Sequence, residues 1–275
     1  MRERRGFTMI EMIVTVLLLA LTGTAVLRLM MGQARFYEKQ RAGREARVVS
    51  RSALNALLSE LRMIEARGGV VAATSTSITF RVPYAVGLLC RTTGGVTTVS
   101  FLPTDSARYD ETGFSGYGWR NGAGVYSYVD AGVTLGSGLT SDCAAANITT
   151  LSGGRVAGIT PALPTTATSA SAVMLFRRIT YRFANSASMP GRVALWRRVE
   201  TTGSEEELVA PFESTAQFRF YALNANTAQD AVPTLADIRG IEVVLAGSSE
   251  RVPQGETGFQ RASSTTAIFF RNRLE

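Results

Sequence analysis

The sequence predicts an α+β protein in which one long N-terminal helix packs on an antiparallel β-sheet domain. Three patterns carry that expectation. From Phe7 to Leu27 the chain is apolar except for a single charge, Glu11. Val48, Val49, Leu54, Leu57, Leu58, Leu61 and Ile64 then recur at helical spacing with Arg and Glu between them, and no proline occurs before Pro83. From residue 70 the pattern changes to the two-residue alternation of strands. Hydrophobic content of 45% and charged content of 19% are those of a folded protein. A length of 275 residues suffices for a stalk plus one substantial domain or two small ones.

The helix comes first. Phe7 to Leu27 spans roughly 30 Å as a helix, enough to cross a bilayer core. A carboxylate inside such a segment costs roughly 2.5–3.5 kcal/mol on insertion scales, so Glu11 calls for a partner or a task. The plain alternative is a signal anchor with Glu11 snorkelling at the interface. The apolar run is long for a secretory signal, and no Ala-x-Ala-like site follows it before Arg28. Beyond Leu27 the helix is expected to continue to Ala66, on the order of 90 Å in all, with Arg67-Gly68-Gly69 as its stop signal. Its second half is amphipathic and must lie on something. Gly23, Gly32 and Gly43 are weak points; at Gly23, between Thr22 and Thr24, local melting and a merely tolerated glycine are both open.

The strands follow. Ser77–Val82 and Val96–Phe101 alternate with period two. Residues 113–138 hold eight glycines together with Tyr117, Trp119, Tyr126 and Tyr128. This reads as an irregular loop with a short strand at Val125–Val129, its aromatics packing the loop down rather than binding a carbohydrate. Leu151–Ala172, rich in Thr, Ser, Ala and Pro, reads as a further loop. Val173–Ala184 and Arg192–Glu200 read as strands joined by a turn at Met189-Pro190-Gly191. Ser214–Leu223, Ile238–Leu245 and Ala267–Leu274 complete the set. Between them Glu205-Glu206-Glu207 reads as a solvated charge run in a loop.

Several kinds of chemistry are excluded. There is no histidine, which removes Ser-His-Asp and Cys-His catalysis, the His-containing zinc sites and the commonest general base. Two cysteines cannot build a Cys₄ site, and no P-loop or dinucleotide fingerprint occurs; the Gly-Gly pairs at 68–69, 94–95 and 153–154 read as turns. Asp105, Asp110 and Glu111 could gather a calcium ion but lack its loop pattern. No cofactor, no metal and no enzymatic activity are expected. The net charge of +7 is concentrated: Arg28, Arg35, Lys39, Arg41, Arg44, Arg47 and Arg51 stand against Glu38 and Glu45. Such a stretch can face nucleic acid, membrane or an acidic partner. By the positive-inside rule it would hold the C-terminal side in the cytoplasm, although long domains translocate largely regardless of charge.

Arg5-Gly6-Phe7-Thr8-Met9-Ile10-Glu11, followed by an unbroken apolar run, resembles the class III leader of type IV pilins and type II secretion pseudopilins. The resemblance implies a pilin-like fold: residues 1–6 as the leader, 7–66 as the transmembrane and stalk helix, 67–275 as the β-rich head. It implies that a membrane aspartyl peptidase cuts between Gly6 and Phe7 and that the new Phe7 amine is methylated. Glu11, the fifth residue of the mature chain, would neutralise the terminal amine of a neighbouring subunit. The implied partners are other pilin or pseudopilin subunits bound through the N-terminal helix, the prepilin peptidase and the inner membrane. The implied path is a single pass with the head outside the cytoplasm, then incorporation into a filament, at its tip for a minor subunit. That processing signal overrides the positive-inside reading.

An exported head makes a Cys90–Cys143 disulfide the expectation, whereas a cytosolic one would hold two unrelated thiols. The bridge would close a loop of about 54 residues, worth on the order of 4 kcal/mol in the chain-entropy model. In the head, the Tyr181-Arg182-Phe183 strand with its Leu195-Trp196-Arg197-Arg198 partner, then the segment Ala236 to Val243, then an ending in Phe270-Arg271-Asn272-Arg273, resemble the W-type minor pilins and the J-type minor pseudopilins. The length of the chain favours the W type. The expected function is therefore a structural, priming or tip subunit of a type IV pilus. The alternatives are a J-type pseudopilin of type II secretion, and a filament-mounted DNA- or carbohydrate-binding module suggested by residues 28–51 and 113–138.

Overall fold

In a computed structural model of the chain, residues 8–109 and 113–270 are described. Helix α1 (Met9–Leu61) contains 53 residues and is about 80 Å long. Its residues up to Arg41 are exposed. From there Ala42, Ala46, Ser50, Ala53, Leu57 and Leu61, spaced by four and three, form one buried stripe, the spacing that keeps side chains on one helix face. The helix ends five residues before the expected Ala66. Arg62 and Met63 form a turn, which still delivers Ile64 fully buried into the core. The apolar period thus continues past the last helical residue.

The head begins with β1 (Val70–Ala73), β2 (Ser77–Thr93) and β3 (Val96–Phe101), then a short helix α2 (Pro103–Tyr109). Next come β4 (Gly116–Arg120), β5 (Tyr126–Val129), β6 (Thr134–Ser137), helix α3 (Thr140–Ala145) and β7 (Arg155–Thr160). The chain closes with β8 (Ala172–Asn185), β9 (Val193–Val199), β10 (Glu205–Phe212), β11 (Gln217–Ala222), β12 (Ile238–Ser248) and β13 (Arg261–Phe269). The strands join in one sheet, ordered β11-β12-β10-β9-β8-β2-β3-β7-β6, with β13 on β12, β1 on β2 and the β4–β5 hairpin on β8. Every pairing is antiparallel. The stalk lies across β10, β12 and β13.

Two apolar clusters fill the head. The larger joins the α1 stripe to Ile78, Phe80, Tyr181, Phe218, Ile241 and their neighbours; the smaller gathers Ala85, Leu89, Val99, Phe101, Tyr117 and Ile159. Strand β2 serves both by changing register. Ile78, Phe80 and Val82 point into the larger cluster, the pairing with β8 then shifts between Pro83 and Ala85, and Ala85 and Leu89 point into the smaller. One extra residue in one strand moves the inward set from even to odd positions. Pro83, which has no N–H to give a ladder, stands at that irregularity.

The hairpin of β8 and β9 pairs Tyr181 with Arg197 and Phe183 with Leu195, in agreement with the expected partners and turn. Other expectations are corrected. Beside the expected short strand, present as β5, residues 113–138 hold β4 and β6, and the expected loop at 151–172 holds β7. Some of the glycines there are sites of close approach: a Cβ at Gly116 would lie 2.0 Å from the Val129 carbonyl oxygen, and one at Gly158 would lie 2.8 Å from Val96, whereas Gly122, Gly132 and Gly136 face open space. Glu205-Glu206-Glu207 opens β10, facing Arg198, Arg197 and Trp196 across the ladder. Glu205 is paired with Arg182, and Glu207 accepts hydrogen bonds from the turn at 186–188. The last strand starts at Arg261 rather than Ala267. Its first residues alternate between exposed and half-buried, so they carry Ser and Thr in place of the apolar residues that announce a strand. Residues 271–274 lie outside the described residues.

Candidate functional site: the stalk and its leader

Thr8 is the N-cap of α1, and its carbonyl accepts the Glu11 and Met12 N–H groups at 3.1 and 3.2 Å. The Thr8 hydroxyl reaches the Glu11 carboxylate at 3.5 Å. Thr-x-x-Glu is the spacing of a capping box, a local signal that the lone-charge reading of Glu11 passes over. The hydroxyl here bonds the carboxylate and makes no side-chain cap to the backbone. Glu11 is thereby held in the first helical turn, where the helix dipole favours an anion. Its carboxylate is exposed, and no ion pair is formed to it among the described residues. Around and beyond it, Ile10, Ile13, Leu17, Leu21 and Leu27 are each more than half exposed. The segment is long and apolar enough to cross a membrane once, and none of that span is buried against the head. Apolar surface on this scale needs lipid or other helices to cover it. Gly6 and Phe7, the expected cleavage and methylation positions, lie outside the described residues.

The family model of the prokaryotic N-terminal methylation motif matches residues 1–27. The chain carries a class III prepilin leader. This motif points to a type IV pilin- or pseudopilin-like structural subunit. No curated protein and no solved structure matches it.

The head grips the stalk below the sheet as well as on it. The loop between β12 and β13 runs down beside α1. There Lys39 pairs with Glu256 at 2.8 Å, Glu38 accepts the Gln254 N–H at 3.1 Å, and Arg35 lies along the turn at Gly255. At the stalk's upper end Arg197 pairs with Glu60 at 2.7 Å. Above it Arg81 donates to Asp130 at 2.7 Å and to the Gly68 carbonyl, and covers the Tyr128 ring with its guanidinium 4.4 Å from the centroid. The Arg81 hydrogen bonds hold the Asp130 carboxyl below the usual carboxylate range against the opposing effect of burial. Burial, reinforced by the Glu65 charge, pushes the Tyr128 hydroxyl up. No local pattern foretells the Arg81–Asp130 pair, whose members stand 49 residues apart.

Cys90 of β2 and Cys143 of α3 are joined by a disulfide, buried with Ile148 in a small cluster. Thr98 donates to Asp142 beside it at 2.8 Å. The aromatic residues are packed down: Tyr117 is buried and donates to the Pro161 carbonyl, and Tyr128 meets Phe176 edge-on. Asp105 accepts the Val86 N–H at 3.0 Å and so ties α2 to β2; Asp110 and Glu111 lie outside the described residues. No group of three or more metal-ligating side chains occurs among the described residues. Of the basic stretch, Lys39 and Arg41 are paired, the latter with Glu45 at 3.1 Å. Arg44, Arg47 and Arg51 are exposed and meet no carboxylate among the described residues.

Proposed function

We propose that the chain is a minor pilin, a structural and priming or tip subunit of a type IV pilus. It is held in the inner membrane until the leader is cut between Gly6 and Phe7 and the Phe7 amine is methylated. The observation that carries this reading is the leader motif leading directly into an exposed apolar helix. In this reading Glu11 is the assembly carboxylate. The cleaved amine is a cation beside lipid, where an unpaired charge is costly, and the carboxylate of an adjacent subunit offsets it. Mass spectrometry of the membrane-purified protein should find Phe7 as the N-terminus, with the mass of one methyl group added. Gly6→Leu should leave the precursor uncut. A mature chain starting anywhere else overturns the reading. The same leader serves the J-type pseudopilins of type II secretion. Deletion of the gene separates the two, a pilin costing surface filaments and a pseudopilin costing the export of secreted enzymes.

A further inference from the structure

Several arginines of the head are matched to carboxylates: Arg81 to Asp130, Arg182 to Glu205, Arg197 to Glu60, Arg219 to Glu242. On the stalk Arg41 is paired with Glu45, but the arginines that follow it form an unmatched cluster. Arg44, Arg47, Arg51 and Arg62 are exposed, and no carboxylate meets any of them among the described residues. At about 100° per residue Arg44, Arg47 and Arg51 lie within roughly 60° of one another, turned away from the buried stripe, along about 10 Å of helix, and Arg62 follows at the helix C-cap. Arg44 and Arg47 are three residues apart and Arg47 and Arg51 four, the spacings at which like charges oppose helix formation. Val48 projects among them, 60% exposed.

We propose that this outward stripe is a docking surface for the acidic face of a different pilin-like subunit. The proposal rests on the pilin-like reading above. A second copy of the chain is a poor occupant: the net charge is +7, and most head carboxylates near a guanidinium are already engaged. The stripe continues the same helix whose lower half needs helical neighbours, so a subunit packed against that half is carried up beside Arg44 to Arg51. Guanidinium groups mixed with an exposed valine are the composition of a protein interface, where Arg is enriched and Lys depleted. A charge-matched contact of this kind sets which partner docks and in what register.

The test uses the full chain in detergent micelles, with poly-L-glutamate and a short DNA duplex as probes. The variant Arg44→Gln/Arg47→Gln/Arg51→Gln is set against Arg67→Gln/Arg91→Gln/Arg251→Gln, which removes the same charge elsewhere. The stripe variant should bind poly-L-glutamate about tenfold more weakly at low salt, and the control about twofold at most. Its thermal midpoint should not fall, because the substitutions relieve like-charge contacts. In cells, a photo-crosslinker at position 48 should join a different, acidic pilin-like chain, and the stripe variant should lose that product while its leader is still cut. Equal weakening by both variants, stripe-dependent binding of duplex but not of poly-L-glutamate, or a cross-linked dimer of this chain each overturn the docking surface alone. An uncut leader overturns the pilin-like reading and the docking surface with it.

Discussion

Gly247 sits where α1 comes nearest the sheet. A Cβ there would stand 2.3 Å from the Ala46 carbonyl oxygen and 2.5 Å from the Ser50 hydroxyl. That hydroxyl accepts the Gly247 N–H and donates to the Ala262 carbonyl, both at 3.2 Å. The obstacle is helix backbone, which cannot step aside, so Gly247→Ala should destabilise the head by about 1–3 kcal/mol as strain of overpacking, read from the denaturation midpoint. Asp130 offers a pH test. Its folded-state pKa is lowered by Arg81, so the pair stabilises the fold above the ordinary aspartate range, and that contribution fades as pH falls through the folded value. Thermal melts should therefore show wild type above Asp130→Asn at neutral pH, with the gap closing below about pH 4. A gap independent of pH would remove the ion pair as its cause. The disulfide could be read from the chain because its cysteines stand out, two thiols in all. Gly247 could not, since its demand is set by Ala46 and Ser50, about two hundred residues away.

The helix and the late strands carry their own periods, which is why they were legible. β8, β9 and β12 alternate because one face meets the α1 stripe. β4 to β7 cover a smaller core with small residues, and Gly116, Gly118 and Gly158 answer to neighbouring strands and rings rather than to turns. β10 was hidden by its three glutamates: Glu205 is met by Arg182 of β8 and Glu207 by the turn at 186–188, and neither partner is adjacent in sequence. In this poorly announced half of the head the disulfide is the element-scale constraint, tying α3 to β2 across 53 residues of sequence. Cys90→Ser should lower stability by up to about 4 kcal/mol, the chain-entropy value for such a loop. Hydrogen exchange should quicken first in α3 and the segment leading to β7. Unchanged exchange there, with stability lost uniformly, would mean that the bridge acts on the unfolded chain alone.

As a whole the molecule is a long helix, apolar and exposed in its first half, with a head clasped to its far half. What the sequence withheld was how far down the clasp reaches. In the proposed role Glu11→Ala should still be inserted, cleaved and folded, yet should enter filaments poorly, and Glu11→Asp should fall between it and wild type. Comparing the cleaved chain in membranes with that in sheared filaments measures this; equal incorporation would leave Glu11 as the capping neighbour of Thr8 and nothing more. The clasp itself bears on mechanics. A sideways push on the head bends the stalk about the point where the two part company. The loop from Ser249 to Gln260 moves that fulcrum from Ala42 to Arg35, about two turns or ~10 Å toward the apolar end of the helix, shortening the lever arm of the unsupported rod. The added brace consists of the exposed Lys39–Glu256 pair and the Glu38 contact with Gln254, so it is stiff in dilute buffer and yields as salt screens it.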